Sequence, residues 1–160
     1  MIAYSTYPYD ARIRREAETL ARSGRHRVTM LVPKERRTPR TYTLGGVKIH
    51  QLNIPRYQGM RTGVYLLSYV LFMSLAFFKC AALAITKGTR LFHVHNMPDI
   101  LIFATLVPWL LGARVVLDVH DTMPETYATK YSNTSGLIAR LLELEERLAC
   151  KFAFRVIAVN

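Results

Sequence analysis

A chain of 160 residues, 51% of them hydrophobic, holds enough apolar material for one ordinary domain and needs no disulfide or metal staples to fold. Its net charge of +11 is uneven: 13 of the 22 Lys/Arg but four of the 11 Asp/Glu fall in residues 1–61, a net +9 against +2 for the remainder. A one-sided basic surface suits an anionic partner, whether nucleic acid, a membrane leaflet or a phosphorylated substrate. Cys80 and Cys150 sit in apolar helical patterns without CxxC spacing and read as reduced core residues.

In chain order, Met1 leads straight into IAYS (2–5), a short first strand with no signal peptide ahead of it. Asp10 can cap a helix that places Ile13, Ala17, Leu20 and Ala21 on one face and ends at Gly24. RVTMLV (27–32) is a second strand stopped by Pro33, and a basic loop, KERRTPR (34–40), follows. Gly45-Gly46 turns into VKIHQL (47–52), the third strand. Residues 62–86 form a long helical pattern, apolar on nearly all sides. LFHVH (91–95) is a fourth strand, residues 99–111 a helix closed by Gly112, and RVVLDV (114–119) a fifth strand. An amphipathic helix over 135–152 carries Leu137, Leu141, Leu144 and Leu148 on one stripe, and RVIAV (155–159) is the sixth strand. Strands alternating with helices predict βαβ units: an α/β fold with a Rossmann-like, open parallel sheet of about six strands flanked by helices, in one domain over 1–160.

The helix over 62–86 is the odd element. At 1.5 Å per residue it extends about 37 Å, whereas a six-residue strand covers about 20 Å. Its uncharged run, Val64 to Phe78, is 15 residues, short of the roughly 20 a spanning helix needs. A buried or membrane-surface helix is therefore expected, and with the basic N-terminal third it predicts docking on an anionic membrane. The same apolar surface would otherwise show as self-association. Nucleic acid is not the expected partner, because aromatic and basic residues are not interleaved on any one strand set.

Ligands of open parallel sheets bind at the carboxyl ends of the strands. That rule selects the loops TYPYD (6–10), NIPR (53–56), NMPD (96–99) and HDTMPE (120–125). They hold Tyr9, Asp10, Asn96, Asp99, His120, Asp121 and Glu125, a concentration of hydrogen-bonding groups that a sugar-binding cleft needs. Asp99 also stands where a helix N-cap belongs, and His120 is either a substrate contact or a histidine satisfied by its neighbour Asp121. Arg12 lies in the first turn of the first helix, where a cation opposes the helix dipole unless an anion shares the site or Glu16 pairs with it. GxGxxG after the first strand, GxxxxGK[ST], and His/Cys clusters of metal-binding spacing are all missing from the sequence. Asp118 to Asp121 is DxxD rather than DxD.

Three segments in order, YPYDARIRREAETLARSGRHRVTMLVP, HVHNMPDILIFATLVPWLLGARVVLDVHDTMPE and ERLACKFAFRVIAVN, resemble the N-terminal half of family 4 glycosyltransferases of the GT-B fold. The resemblance implies a metal-free, retaining transfer of sugar from a nucleotide-sugar donor. It implies a chain that holds mainly the acceptor, a sugar or a lipid-linked molecule. A second, C-terminal half would bind the donor, with no other cofactor, so that this chain alone is expected to be inactive. His120 matches the family's histidine that contacts the donor sugar, the catalytic candidate. Tyr9, Asp10, Arg12, Asn96, Asp99, Asp121 and Glu125 are the substrate-binding candidates. Many relatives build bacterial surface polysaccharides, which implies a cytoplasmic protein peripheral on the inner membrane face. This sequence departs from the family at TYPYD, where many relatives have a glycine-rich loop, and at Phe154, where an acid is usual. The short first strand and the ending at Asn160 fit a piece of a longer enzyme or one part of a split one.

Overall fold

Six strands alternate with helices in the computed structural model, which describes residues 1–57, 59, 61–96, 98–120 and 136–158. The chain divides into two compact units, Met1–Phe78 and Lys79–Asn160.

In the first unit the expected opening strand contracts to a single parallel bridge, Ile2 to Leu31. Two backbone bonds flank it, from Ala3 N–H to Leu31 O (3.0 Å) and from Leu31 N–H to Met1 O (2.9 Å). The chain then tightens into a 3-10 turn, Tyr7–Tyr9, with Pro8 in its first positions. Asp10 caps α1 (Ala11–Arg22) as its position predicts: its carboxylate accepts from Ile13 N–H (3.3 Å) and from Ser5 Oγ–H (2.6 Å). α1 buries Ile13 and Ala17 against Met30, Val32, Val47 and Ile49 of the sheet, with Tyr7 fully enclosed in the same core.

That sheet has the order β1-β3-β2, with β1 (Thr29–Lys34) parallel to β3 (Val47–Pro55). β1 runs through Pro33, and the register shifts immediately after it, where the missing N–H breaks the ladder. β2 (Thr41–Leu44) was not expected. It pairs antiparallel with β3, Leu44 opposite Val47, across a two-residue turn in which Gly45 and Gly46 have φ of 58° and 80°. Only glycine takes two successive positive φ values without steric cost, so GG between two β-rich runs is a hairpin signal. TYTL then alternates as a half-buried strand should, with Tyr42 and Leu44 packed on the core.

α2 (Thr62–Lys87) is one continuous helix, and the division between the units falls inside it. Tyr4 anchors its first turns: its ring lies 5.1–6.2 Å from those of Tyr65, Tyr69 and Phe72, and its hydroxyl is 2.9 Å from Ser68 Oγ. Gly63–Lys87 is long and apolar enough to cross a membrane by length and composition, with a mean hydropathy of 1.9 in a window only 22% buried. The helix exceeds the 15-residue uncharged run because it continues through Lys79.

The second unit is a three-stranded, all-parallel sheet in the order β4-β5-β6, with β4 Leu91–His95, β5 Arg114–Val119 and β6 Arg155–Ala158. Phe92, Val94, Val115 and Leu117 form its buried rows. The crossover from β4 to β5 is not the single helix expected over 99–111. It is a 3-10 helix, Asp99–Thr105, followed by the short α3 (Leu106–Leu110). Pro108 has no N–H to return to the carbonyl of Ala104, so a continuous α-helix would lack a bond at that point. α4 (Gly136–Phe152) forms the crossover from β5 to β6. It docks through Ala149, through Phe152, whose ring meets Phe103 edge-on and lies tilted against Trp109, and through Glu145, which accepts Ile100 N–H at 2.7 Å. Of the leucine stripe, Leu141, Leu144 and Leu148 instead face outward, each about half exposed.

Both units are α/β, and together they supply the Rossmann-like pattern of parallel strands joined by helical crossovers. Two points of the expected sheet change. The strands form two three-stranded sheets, and the sixth strand is the antiparallel β2 rather than residues 2–5.

Candidate functional site

β4 and β5 end side by side, with His95 opposite Asp118. Side chains two apart on a strand share a face. His93 with His95, and Asp118 with His120 just beyond the strand, therefore converge at the carboxyl edge of the second unit's sheet. Asp118 Oδ2 lies 3.0 Å from His95 Nδ1 and 3.0 Å from His120 Nε2, and the two imidazole nitrogens are 3.2 Å apart. His93 stacks on His95 at 4.5 Å between centroids. Asp118 and His95 are fully buried, whereas the His120 side chain keeps 16% of its surface.

Burial alone would raise the Asp118 pKa, but hydrogen bonds from His120 and His95 outweigh it and hold the carboxylate well below its usual range. Burial pushes His95 the other way, toward the neutral imidazole, and lowers His93 to about 3. The consistent assignment is an ionised Asp118 accepting N–H bonds from two imidazoles. Asp118 thus sets the orientation of His120 and its Nε2–H tautomer, and directs Nδ1 away from the carboxylate. Among the described residues, His120 Nδ1 makes no hydrogen bond, so the chemistry available is an acceptor, or after protonation a donor, for one ligand oxygen.

The polar loop after β4 locks this arrangement. Asn96 N–H donates to Asp118 O at 2.9 Å, and Asn96 Oδ1 accepts His120 N–H at 2.7 Å. Asn96 Nδ2 donates to Asp99 Oδ1 at 3.0 Å. Asp99 is not the N-cap: Pro98 occupies that position, and Asp99 is the first residue of the 3-10 helix. Its carboxyl is 1% exposed, and among the described residues Oδ2 has no hydrogen-bond partner. Burial raises its pKa, and the Asn96 bond only partly opposes this. Asn96, Asp99 and His120, three of the residues chosen from the sequence, are therefore one connected group.

Residues 9–160 match the family model of the glycosyl transferase 4-like domain, which covers nearly the whole chain. The chain belongs to that family. No curated protein matches the chain.

For a glycosyl transferase 4-like domain, the other expected residues divide by unit. Tyr9 is exposed at the end of the 3-10 turn, beside Arg14, Arg15 and Arg22 of α1. Asp10 is committed to capping α1, and Arg12 lies 4.0 Å from Glu16, the i,i+4 pairing its spacing allows. Arg14 makes the closer pair, 2.7 Å to Glu18. These residues belong to the first unit, and Asn96, Asp99 and His120 to the second. Asp121 and Glu125 lie outside the described residues.

Among the described residues the partner of His120 is Asp118, two residues back, while Asp121, the neighbour suggested by the sequence, lies outside them. Asp118, His95 and His93 were not among the expected site residues. A spacing signal was present, since HxH ending one buried strand and DxH ending the next place four polar side chains on one face once the strands pair in parallel. These side chains lie far apart along the sequence and are brought together across the paired strands.

Proposed function

We propose that this chain is the acceptor-binding half of a retaining glycosyltransferase that uses a nucleotide-sugar donor, in bacterial polysaccharide or glycolipid synthesis at the membrane. The observation that carries the reading is His120, held by the buried Asp118 at the carboxyl end of β5 in a glycosyl transferase 4-like domain. A fixed imidazole at a strand's carboxyl edge suits a hydrogen bond to a sugar hydroxyl or to charge developing as the glycosidic bond to the diphosphate breaks. Asn96 sets the backbone of His120, and Asp99 offers a buried carboxyl beside it. Tyr9, Asp10, Arg12, Asp121 and Glu125 complete the proposed substrate-binding set. A C-terminal donor-binding half supplies the nucleotide site, and no other cofactor is required.

The membrane part of the reading rests on α2. Its face at Leu66, Leu67, Val70 and Leu71 is 43–59% exposed, and residues 1–61 carry the excess of basic charge. These features support a position at the cytoplasmic membrane face, with a lipid-linked acceptor within reach. The same observation favours the second reading, a membrane-docking module without catalysis.

The two readings separate in one assay. The chain, combined with its donor-binding half, is given labelled nucleotide sugars and a membrane extract, and label entering the lipid-extractable fraction is counted. Transfer from at least one donor is expected, with none from the chain alone. Failure of the combined protein with every donor, while it still binds vesicles, would leave the docking module.

A further inference from the structure

We propose that Arg14, Arg15 and Arg22 form a binding site for a phosphate group. Helical spacing puts these three and Glu18 on one face of α1, turned away from the buried Ile13 and Ala17. With Pro8 and Tyr9 of the 3-10 turn they line an open pocket of about 280 Å³. That is the low end for a small-molecule site, with room for a phosphate headgroup rather than a whole nucleotide sugar. Three guanidinium groups meet one carboxylate there, an excess of two positive charges. A phosphate monoester carries about −1.5 to −2 at neutral pH and balances that excess, whereas a carboxylate ligand brings a single charge.

The charges are arranged as well as gathered. The Glu18 side chain is 12% exposed and fills the space that Gly45 leaves open; a Cβ on Gly45 would strike its carboxyl group. From that seat Oε1 accepts Arg14 Nε–H at 2.7 Å, and Oε2 lies 3.9 Å from Arg22 Nη1. One carboxylate thus orients an arginine on either side of it along the helix. Arg14 is held through Nε, which leaves its terminal N–H groups for a ligand, and Arg15 makes no ion pair among the described residues. Guanidinium N–H groups fixed in this way suit the paired hydrogen bonds that phosphate oxygens accept. Tyr9, 83% exposed, stands at the rim. As the seat for the phosphate of a lipid-linked acceptor, the site rests on the transferase reading; as a phosphate site it does not.

The test titrates the full chain, at fixed ionic strength in a calorimeter, with inorganic phosphate and with dihexanoyl phosphatidic acid kept below its micelle-forming concentration. Saturable binding of at least one of them is expected. Arg15→Gln together with Arg22→Gln is expected to weaken it at least about tenfold, the loss of charge-assisted hydrogen bonds. Arg25→Gln together with Arg27→Gln removes the same charge from exposed positions outside the pocket and is expected to leave the affinity nearly unchanged. Circular dichroism checks that both double variants, altered only at exposed residues, stay folded. Tighter binding of phosphatidic acid, lost in the Arg15 and Arg22 variant, identifies a lipid headgroup as the source; equal binding of the two probes identifies a free phosphate compound. Absence of saturable binding in the unaltered chain would overturn the proposal. So would equal affinity in the two double variants, which would leave only diffuse attraction to the basic residues 1–61. The titration needs neither the donor-binding half nor sugar transfer, so its failure and the failure of the transferase reading are told apart.

Discussion

Asp99, at the start of the 3-10 helix after β4, and Asp118, near the end of β5, are buried carboxyls whose surroundings push them in opposite directions. Asp118 receives two imidazole N–H bonds and is held ionised. Asp99 receives one amide N–H from Asn96, so desolvation prevails and its pKa is raised. A group with a raised folded pKa contributes stability that is fully present below its unfolded pKa and is lost as pH rises through the folded value. At neutral pH an ionised Asp99 is therefore a cost to the fold. Asp99→Asn keeps the shape and the acceptor for Asn96 while removing the charge. It is expected to raise Tm at neutral pH and to leave it nearly unchanged below about pH 3, where both states are protonated. A lower Tm at neutral pH, or the same gain at both pH values, would contradict this electrostatic account. At this scale the sequence marked Asp99 and His120 as polar residues at strand ends, but it did not reveal which residue each would meet. The contact with Asp118 follows from the strand's period of two, which places residue 118 beneath His120.

At the scale of elements, α2 is held at Tyr4 and exposed along Leu66, Leu67, Val70 and Leu71. Burying such a face in a headgroup layer gains roughly 25 cal/mol for each Å² removed from water, and the basic charge of residues 1–61 adds attraction to anionic lipid. The quadruple change Leu66→Gln, Leu67→Gln, Val70→Gln and Leu71→Gln alters only exposed positions. It is expected to abolish sedimentation with anionic vesicles while leaving the circular dichroism intact. Unchanged sedimentation would show that charge alone attaches the protein. The length and apolarity of α2 were legible in the pattern of residues 62–86. β2 was not, because TYTL is four residues long and follows a basic stretch; its signal lay in the GG turn. The crossover after β4 was misread as one helix because its apolar residues keep helical spacing, while Pro108 removes the bond that would join its parts.

At the scale of the whole molecule, membership of the glycosyl transferase 4-like family agrees with what three ordered segments and the βαβ pattern implied. The fold was legible because buried parallel strands and their crossovers leave strong hydrophobic signatures: VVLDV and LFHVH became β5 and β4 at their predicted positions. The site was less legible because it depends on which strands lie side by side. The His95–Asp118–His120 group is assembled by register, and no short stretch of sequence contains all of it. The most direct measurement of the central claim is the turnover of the complete enzyme, chain plus donor-binding half, with His120→Ala. The account predicts kcat reduced on the order of 100-fold, the loss expected when a fixed hydrogen-bonding group at developing charge is removed, with the fold unchanged. An unaltered kcat would remove His120 from the reaction and contradict the account.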